Sequence, residues 1–159
     1  MSKAPSKLQV SVEGTQEVHM TRTFDAPRDL VLEAMTSPEL LKRWLGGVRA
    51  TVVSADFERR VGGKYRYVFK QRDGVEFAFG GVIRELEPYR VVQTESFEGH
   101  PGSSVVTTTW QEDGPGRTIM KLIIRFDSQA IRDAVLATGM TDGAGESYDA
   151  MEALLAERR

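Results

Sequence analysis

The chain has 159 residues, 40% hydrophobic and 28% charged, a balance that suits one globular domain with a real core and excludes a disordered polyelectrolyte. A net charge of -2 and a pI near 5.8 lack the basic excess of a nucleic-acid-binding surface. There is no cysteine for a disulfide or thiolate metal site, no apolar run of the roughly 20 residues a membrane span needs, and no secretory h-region; these features point to a cytoplasmic protein.

Residues 1–15, beginning "MSKAPSKLQVSVEG", read as a short, flexible polar tail, and residues 16–159 as a single domain. The first strand is "EVHMTRTF", in which Val18, Met20, Arg22 and Phe24 alternate with His19, Thr21 and Thr23. "DAP" stops it, with Asp25 placed to cap and Pro27 suited to an early helical position. Val31, Ala34 and Met35 share a helical face beside Leu30. Ser37 caps a second helix with Pro38 at its first position, and Leu40, Leu41 and Trp44 follow at helical spacing before Gly46-Gly47. Pro38 disfavours helical geometry at Ser37, so two short helices are predicted rather than one. Trp44 reads as the anchor of the second.

The period then becomes two. Six strands are predicted in "RATVVSADF", "KYRYVFKQ", "VEFAFGGVIREL", "RVVQTESF", "SVVTTTWQ" and "RTIMKLIIRF", separated by Gly62-Gly63, Asp73-Gly74, Pro88, "GHPG" and "DGPG". Short strands with tight turns make an antiparallel meander. "DSQAIRDAVLATG" reads as a helix from a Ser128 cap to Gly139. The last segment puts Ala144, Tyr148, Met151 and Leu155 on one face of a long helix, the element available to cover the sheet.

The hairpin at Asp73-Gly74 leaves two registers open. A two-residue turn sets Phe69 opposite Ala78 and Tyr67 opposite Gly80, whereas a three-residue loop sets Phe69 opposite Phe77 and Tyr67 opposite Phe79. In either, Tyr65, Tyr67 and Phe69 project from one face, as core or as the wall of an apolar cavity. Trp110 and Met120 divide the same way, a donor-bearing ring and a flexible thioether among aliphatic neighbours such as Leu122 and Ile124. His19 and His100 lie far apart with no ligand spacing, and neither a GxGxxG nor a GxSxG signature is present. Glu95 shares a strand face with Val91 and Gln93. Facing inward it is a candidate general base with a raised pKa; glutamates usually face solvent, and the outward orientation is the expectation.

The segments "FDAPRDLVLEAMTSPELLKRW", "GGKYRYVF", "GGVIRELEPYRVVQT", "TTTWQEDGPGRT" and "ATGMTDGAGESYDAMEALLA", in this order, resemble the stand-alone bacterial branch of the family named after the activator of the heat-shock protein 90 ATPase. That family belongs to the START-like (SRPBCC, Bet v 1-like) superfamily. The resemblance implies an α+β helix-grip fold: a seven-stranded curved antiparallel sheet around a long C-terminal helix, with two short helices after the first strand. It implies an apolar cavity between sheet and helix that holds a small hydrophobic molecule such as a lipid, polyketide or aromatic metabolite. The alternatives are a module that regulates a chaperone ATPase through protein contacts, or a cyclase- or hydrolase-like enzyme in the same cavity. No shared catalytic set matches and no cofactor is implied, so binding is expected over catalysis. Candidate lining residues are Met35, Trp44, Tyr65, Tyr67, Phe69, Phe77, Phe79, Trp110, Met120, Leu122, Met140, Ala144, Tyr148 and Met151. Similar sequences usually carry Gly-Trp after the G-M-T segment; here Gly143 precedes Ala144, which enlarges the cavity unless Tyr148 fills it. Homodimerisation through a sheet edge or the outer face is compatible with the pattern, but no sequence feature fixes it.

Overall fold

The computed structural model describes residues 7–158, so the first six residues of the expected tail and Arg159 lie outside the described residues. In chain order the elements are β1 (Gln9–Glu13), β2 (Glu17–Phe24), α1 (Arg28–Thr36), α2 (Pro38–Trp44), β3 (Ala50–Phe57), β4 (Lys64–Gln71), β5 (Glu76–Glu87), β6 (Arg90–Phe97), β7 (Ser104–Glu112), β8 (Thr118–Phe126), α3 (Gln129–Ala137) and α4 (Met140–Arg158). The strands form one antiparallel sheet in the order β1-β2-β8-β7-β6-β5-β4-β3. Strands β3 to β8 are a meander, and α1 and α2 carry the chain from β2 to the far edge.

The sheet has eight strands where seven were expected. The extra one, β1, lies within the segment read as a tail. All five of its residues are exposed and it pairs only with β2, from Gln9↔Thr21 to Glu13↔Glu17. Leu8, Val10 and Val12 alternate along this segment, but Val10 and Val12 are 41% and 52% exposed, so this period of two marks a strand without a buried face. Its support is backbone pairing and a distant side chain: Arg132 of α3, only 4% exposed, donates through Nη1 to the Gly14 carbonyl at 2.9 Å.

Alternation fixes the inner face. On β2 it buries Val18, Met20, Arg22 and Phe24, and on β8 it buries Thr118, Met120, Leu122, Ile124 and Phe126. Helix α4 lays Tyr148, Met151, Leu154 and Leu155 against that face, and Met151 and Leu155 are fully buried. Each such side chain contributes on the order of 2 kcal/mol by leaving water. Ion pairs fasten α4 to its surroundings: Arg22 with Asp149 at 2.7 Å, Arg43 with Glu157 at 2.8 Å, and Arg158 with Glu33 at 3.0 Å.

Both short helices form, and Ser37 between them is extended, as the following proline requires. Their caps differ from expectation. Pro27, not Asp25, occupies the N-cap of α1, and Ser37 holds the N-cap position of α2 without a side-chain bond. Ser128 does cap α3, accepting from the Ile131 amide at 3.2 Å. Trp44 is 2% exposed and its indole donates to the Ala34 carbonyl at 2.9 Å, tying α2 to α1.

Candidate functional site

The Asp73-Gly74 hairpin takes the longer register. Gln71 donates to the Val75 carbonyl across a three-residue loop, with Gly74 at φ +89 in the left-handed region. Phe69 therefore faces Phe77 and Tyr67 faces Phe79. The result is a continuous aromatic surface. Phe69 stacks on Phe77 at 4.8 Å and on Phe79 at 5.3 Å, and Tyr67 meets Phe79 edge-on at 5.5 Å. Tyr65 lies 5.3 Å from Tyr67, and Phe79 lies 5.2 Å from Phe97 on β6.

This surface is not sealed. Tyr65, Tyr67 and Phe69 are buried at their own strand, yet Phe57, Phe77, Phe79 and Phe97 around them are only half-buried. In the helices, Met35 of α1 and Met140 and Ala144 at the start of α4 are half-buried too and pack against the core. These inward-facing side chains that still meet water mark the less completely covered part of the inner face.

Glu95 stands on this face. Pairing sets Val91 opposite Thr108, Gln93 opposite Val106 and Glu95 opposite Ser104, and all three partners are buried on the inner face of β7. The expected outward orientation is thus corrected: the strand period that groups Glu95 with Val91 outweighs the general preference of glutamate for solvent. The local backbone explains the placement. A Cβ on Gly81 would come within 2.1 Å of the Thr94 carbonyl oxygen, so β5 and β6 approach closely there. Regular pairing lapses between Gly80↔Ser96 and Ile83↔Gln93. In its place the Val82 amide donates to Thr94 Oγ1 at 2.9 Å, and the Tyr65 hydroxyl donates to the Thr94 carbonyl at 2.5 Å.

Burial pushes the Glu95 carboxyl from 4.5 up to about 7. Glu95 is nonetheless half-buried, so it is both deep in the protein and reachable by water. Its charge and their own burial raise the hydroxyls of Tyr65, Tyr67 and Tyr148, burial being the larger cause in each. Tyr148 reaches the site from α4, braced edge-on by Phe24 at 6.2 Å and tilted on Trp44 at 5.9 Å.

The sequence candidates fall into two sets. Tyr65, Tyr67, Phe69, Phe77 and Phe79 come together as the aromatic surface, with Met35, Met140, Ala144 and Tyr148 on the helical side. Trp110 and Met120 pair in register between β7 and β8; with Leu122, Met151 and Trp44 they are buried, Met120 and Met151 completely. The Trp110 indole nitrogen is buried without an acceptor among the described residues. Phe57, Gln93 and Phe97 join this face without having been among the candidates, and Glu95, weighed only as a candidate base, joins it too. Extending the period-two rule from neighbouring strands would have found each. On the outside, a polar depression of about 360 Å³ lies between Pro27, Arg28 and the "GPG" turn. Its arginines are matched by Glu112 at 3.6 Å from Arg28 and Asp113 at 3.7 Å from Arg117, which leaves little net charge for a ligand.

No helix among the described residues is long and apolar enough to cross a membrane. No functionally curated protein matches the chain significantly. Solved structures do. A Rhodobacter sphaeroides protein is 26% identical with a TM-score of 0.89, the match covering 95% of this chain and 99% of that one. A Mycobacterium smegmatis protein is 25% identical with a TM-score of 0.84 over 98% and 100% of the two chains. An HSP90 activator from Plasmodium falciparum shares the fold more distantly, at 22% identity and a TM-score of 0.53 over 69% of this chain and 72% of that one. The family model of activator of Hsp90 ATPase homolog 1-like proteins matches residues 25–156, and the helix-grip architecture agrees with it: the chain belongs to that family.

Proposed function

We propose that the protein binds a small, largely apolar molecule in a recess between strands β3–β6 and the first half of α4. One observation carries this reading: Phe77, Phe79 and Phe97 face inward around Glu95 and remain half-buried, whereas the neighbouring inner face of β2, β7 and β8 is closed. Apolar walls with a few polar groups are the usual make-up of a ligand site. Ala144 at the start of α4 adds only a methyl group, leaving room that a larger side chain would take. Native mass spectrometry of the freshly purified protein and titration with a fluorescent apolar probe test the reading. The expected result is a bound species or saturable binding that Ala144→Trp weakens by roughly tenfold, the effect of about 1.4 kcal/mol. Absence of any bound species and of probe binding would refute it.

A second reading follows from the family: regulation of a chaperone ATPase through protein contacts, as the name of the Plasmodium falciparum neighbour suggests for that protein. Stimulation of a purified Hsp90-type ATPase by this chain would favour it, and no stimulation at saturating protein would remove it. A hydrolytic or cyclase role would use Glu95 as its base, because a carboxyl poised near 7 exchanges protons at neutral pH.

A further inference from the structure

The carboxyl of Glu95 makes no hydrogen bond or ion pair within the described residues, and on the same inner face Arg22 Nε and the Trp110 indole nitrogen are also without a hydrogen-bond partner. Tyr65 is committed to the Thr94 carbonyl and Trp44 to the Ala34 carbonyl. The side chain of Arg22, the cation on the inner face of β2, is paired with Asp149 at 2.7 Å. Desolvation alone accounts for the state of Glu95; no lysine or arginine lies near enough to offset it. The groups whose titration feels its charge are the hydroxyls of Tyr65, Tyr67 and Tyr148, one set on β4 and one on α4. Beside it on the same strand face stands Phe97, in contact with Phe79.

An unpaired carboxyl among aromatic rings has a definite chemical complement. A carboxylate out of bulk water is costly until a cation joins it. The faces of tyrosine and phenylalanine rings are negative and attract the same cation. An anion would meet repulsion from Glu95, and a neutral apolar molecule would leave the carboxyl unsatisfied. Building on the reading of the recess as a ligand site, we propose that its ligand is an organic cation: an aromatic or aliphatic amine, protonated at neutral pH, whose nitrogen pairs with Glu95 between the rings of Tyr65, Tyr67 and Tyr148 and whose apolar body lies on Phe77 and Phe79.

Three probes of one shape test this with the full chain: 1-naphthylmethylamine, 1-naphthalenemethanol and 1-naphthoate, titrated at about pH 8 by fluorescence or calorimetry, where Glu95 is ionised. The expected order is cation, then neutral, then anion, with the amine at least roughly tenfold tighter than the alcohol. In Glu95→Gln the advantage of the amine disappears, and within that variant amine and alcohol bind within about twofold of each other. That variant removes a buried charge and keeps the shape, so folding is preserved, and the wild-type order is informative by itself. Equal affinity for amine and alcohol, or an amine preference that survives in Glu95→Gln, overturns the proposal and leaves the apolar recess standing. Binding of none of the three overturns both.

Discussion

The inner face of the sheet is two surfaces with different work. Under β2, β7 and β8 it meets Met151, Leu154 and Leu155 of α4 and closes completely, Val18, Phe24, Met120 and Leu155 having no exposure. Under β3–β6 it carries larger, aromatic side chains, and several stay half-buried. The difference follows from what α4 presents. Its second half offers aliphatic side chains of matching size; its first half offers Gly143, Ala144 and Gly145, which fill little space. One helix thus meets the sheet with closely matched aliphatic side chains along its second half and with smaller ones, beside Met140 and Tyr148, along its first. The closed half carries the larger share of the fully buried apolar side chains, and the proposed binding surface lies on the other.

The sharpest way to break this division is to truncate one residue on each side. Leu155→Ala in the closed half should lose about 4 kcal/mol in urea unfolding, whereas Phe79→Ala should lose about 2 kcal/mol and should mainly weaken probe binding. Equal losses would mean that the recess is packed core. Next in size is Glu95→Gln. The raised pKa means that folded Glu95 holds its proton between 4.5 and about 7 while the unfolded chain has released it. Wild-type stability therefore falls as pH rises through that window, and the variant escapes the fall. Unfolding midpoints should coincide near pH 4.5 and separate above pH 7, the variant being more stable by about 2–3 kcal/mol. A separation that grows instead toward acid pH would contradict the buried placement.

Trp44→Phe should cost about 1–2 kcal/mol, because the Ala34 carbonyl loses its donor inside the protein. Arg43→Ala, which removes an ion pair whose partners are 54% and 63% exposed, should change stability by less than about 1 kcal/mol. A larger effect would show that α4 depends on surface charge and not on its buried stripe.

The closed half was largely legible in the sequence. Alternation in "EVHMTRTF" and "RTIMKLIIRF" marks the buried rows directly, and Pro38 separates α1 from α2. The open half was legible only in outline. Its aromatics were visible, but their pairing depended on whether Gly74 closes a two- or three-residue loop, which neighbouring strands decide. Glu95 was misplaced because residue type argued against residue period, and the period won once β7 supplied Ser104, Val106 and Thr108 as partners. Strand β1 was missed although Leu8, Val10 and Val12 alternate, because the polar stretch around them reads as a tail and the contact with Arg132 spans 118 residues from Gly14.

The position of β2 between β1 and β8 has a consequence for biosynthesis. Val18 must wait for Ile124 to leave the ribosome before its second edge is covered. Until then the strand is exposed to mispairing, since long-range ladders close slowly. The β1–β2 hairpin covers the other edge of β2, but the Arg132 contact that supports it lies beyond Ile124 in the chain, and a hairpin by itself is marginal in water. Strand β2, among the first of the paired elements to be made, is therefore among the last to have both of its edges secured.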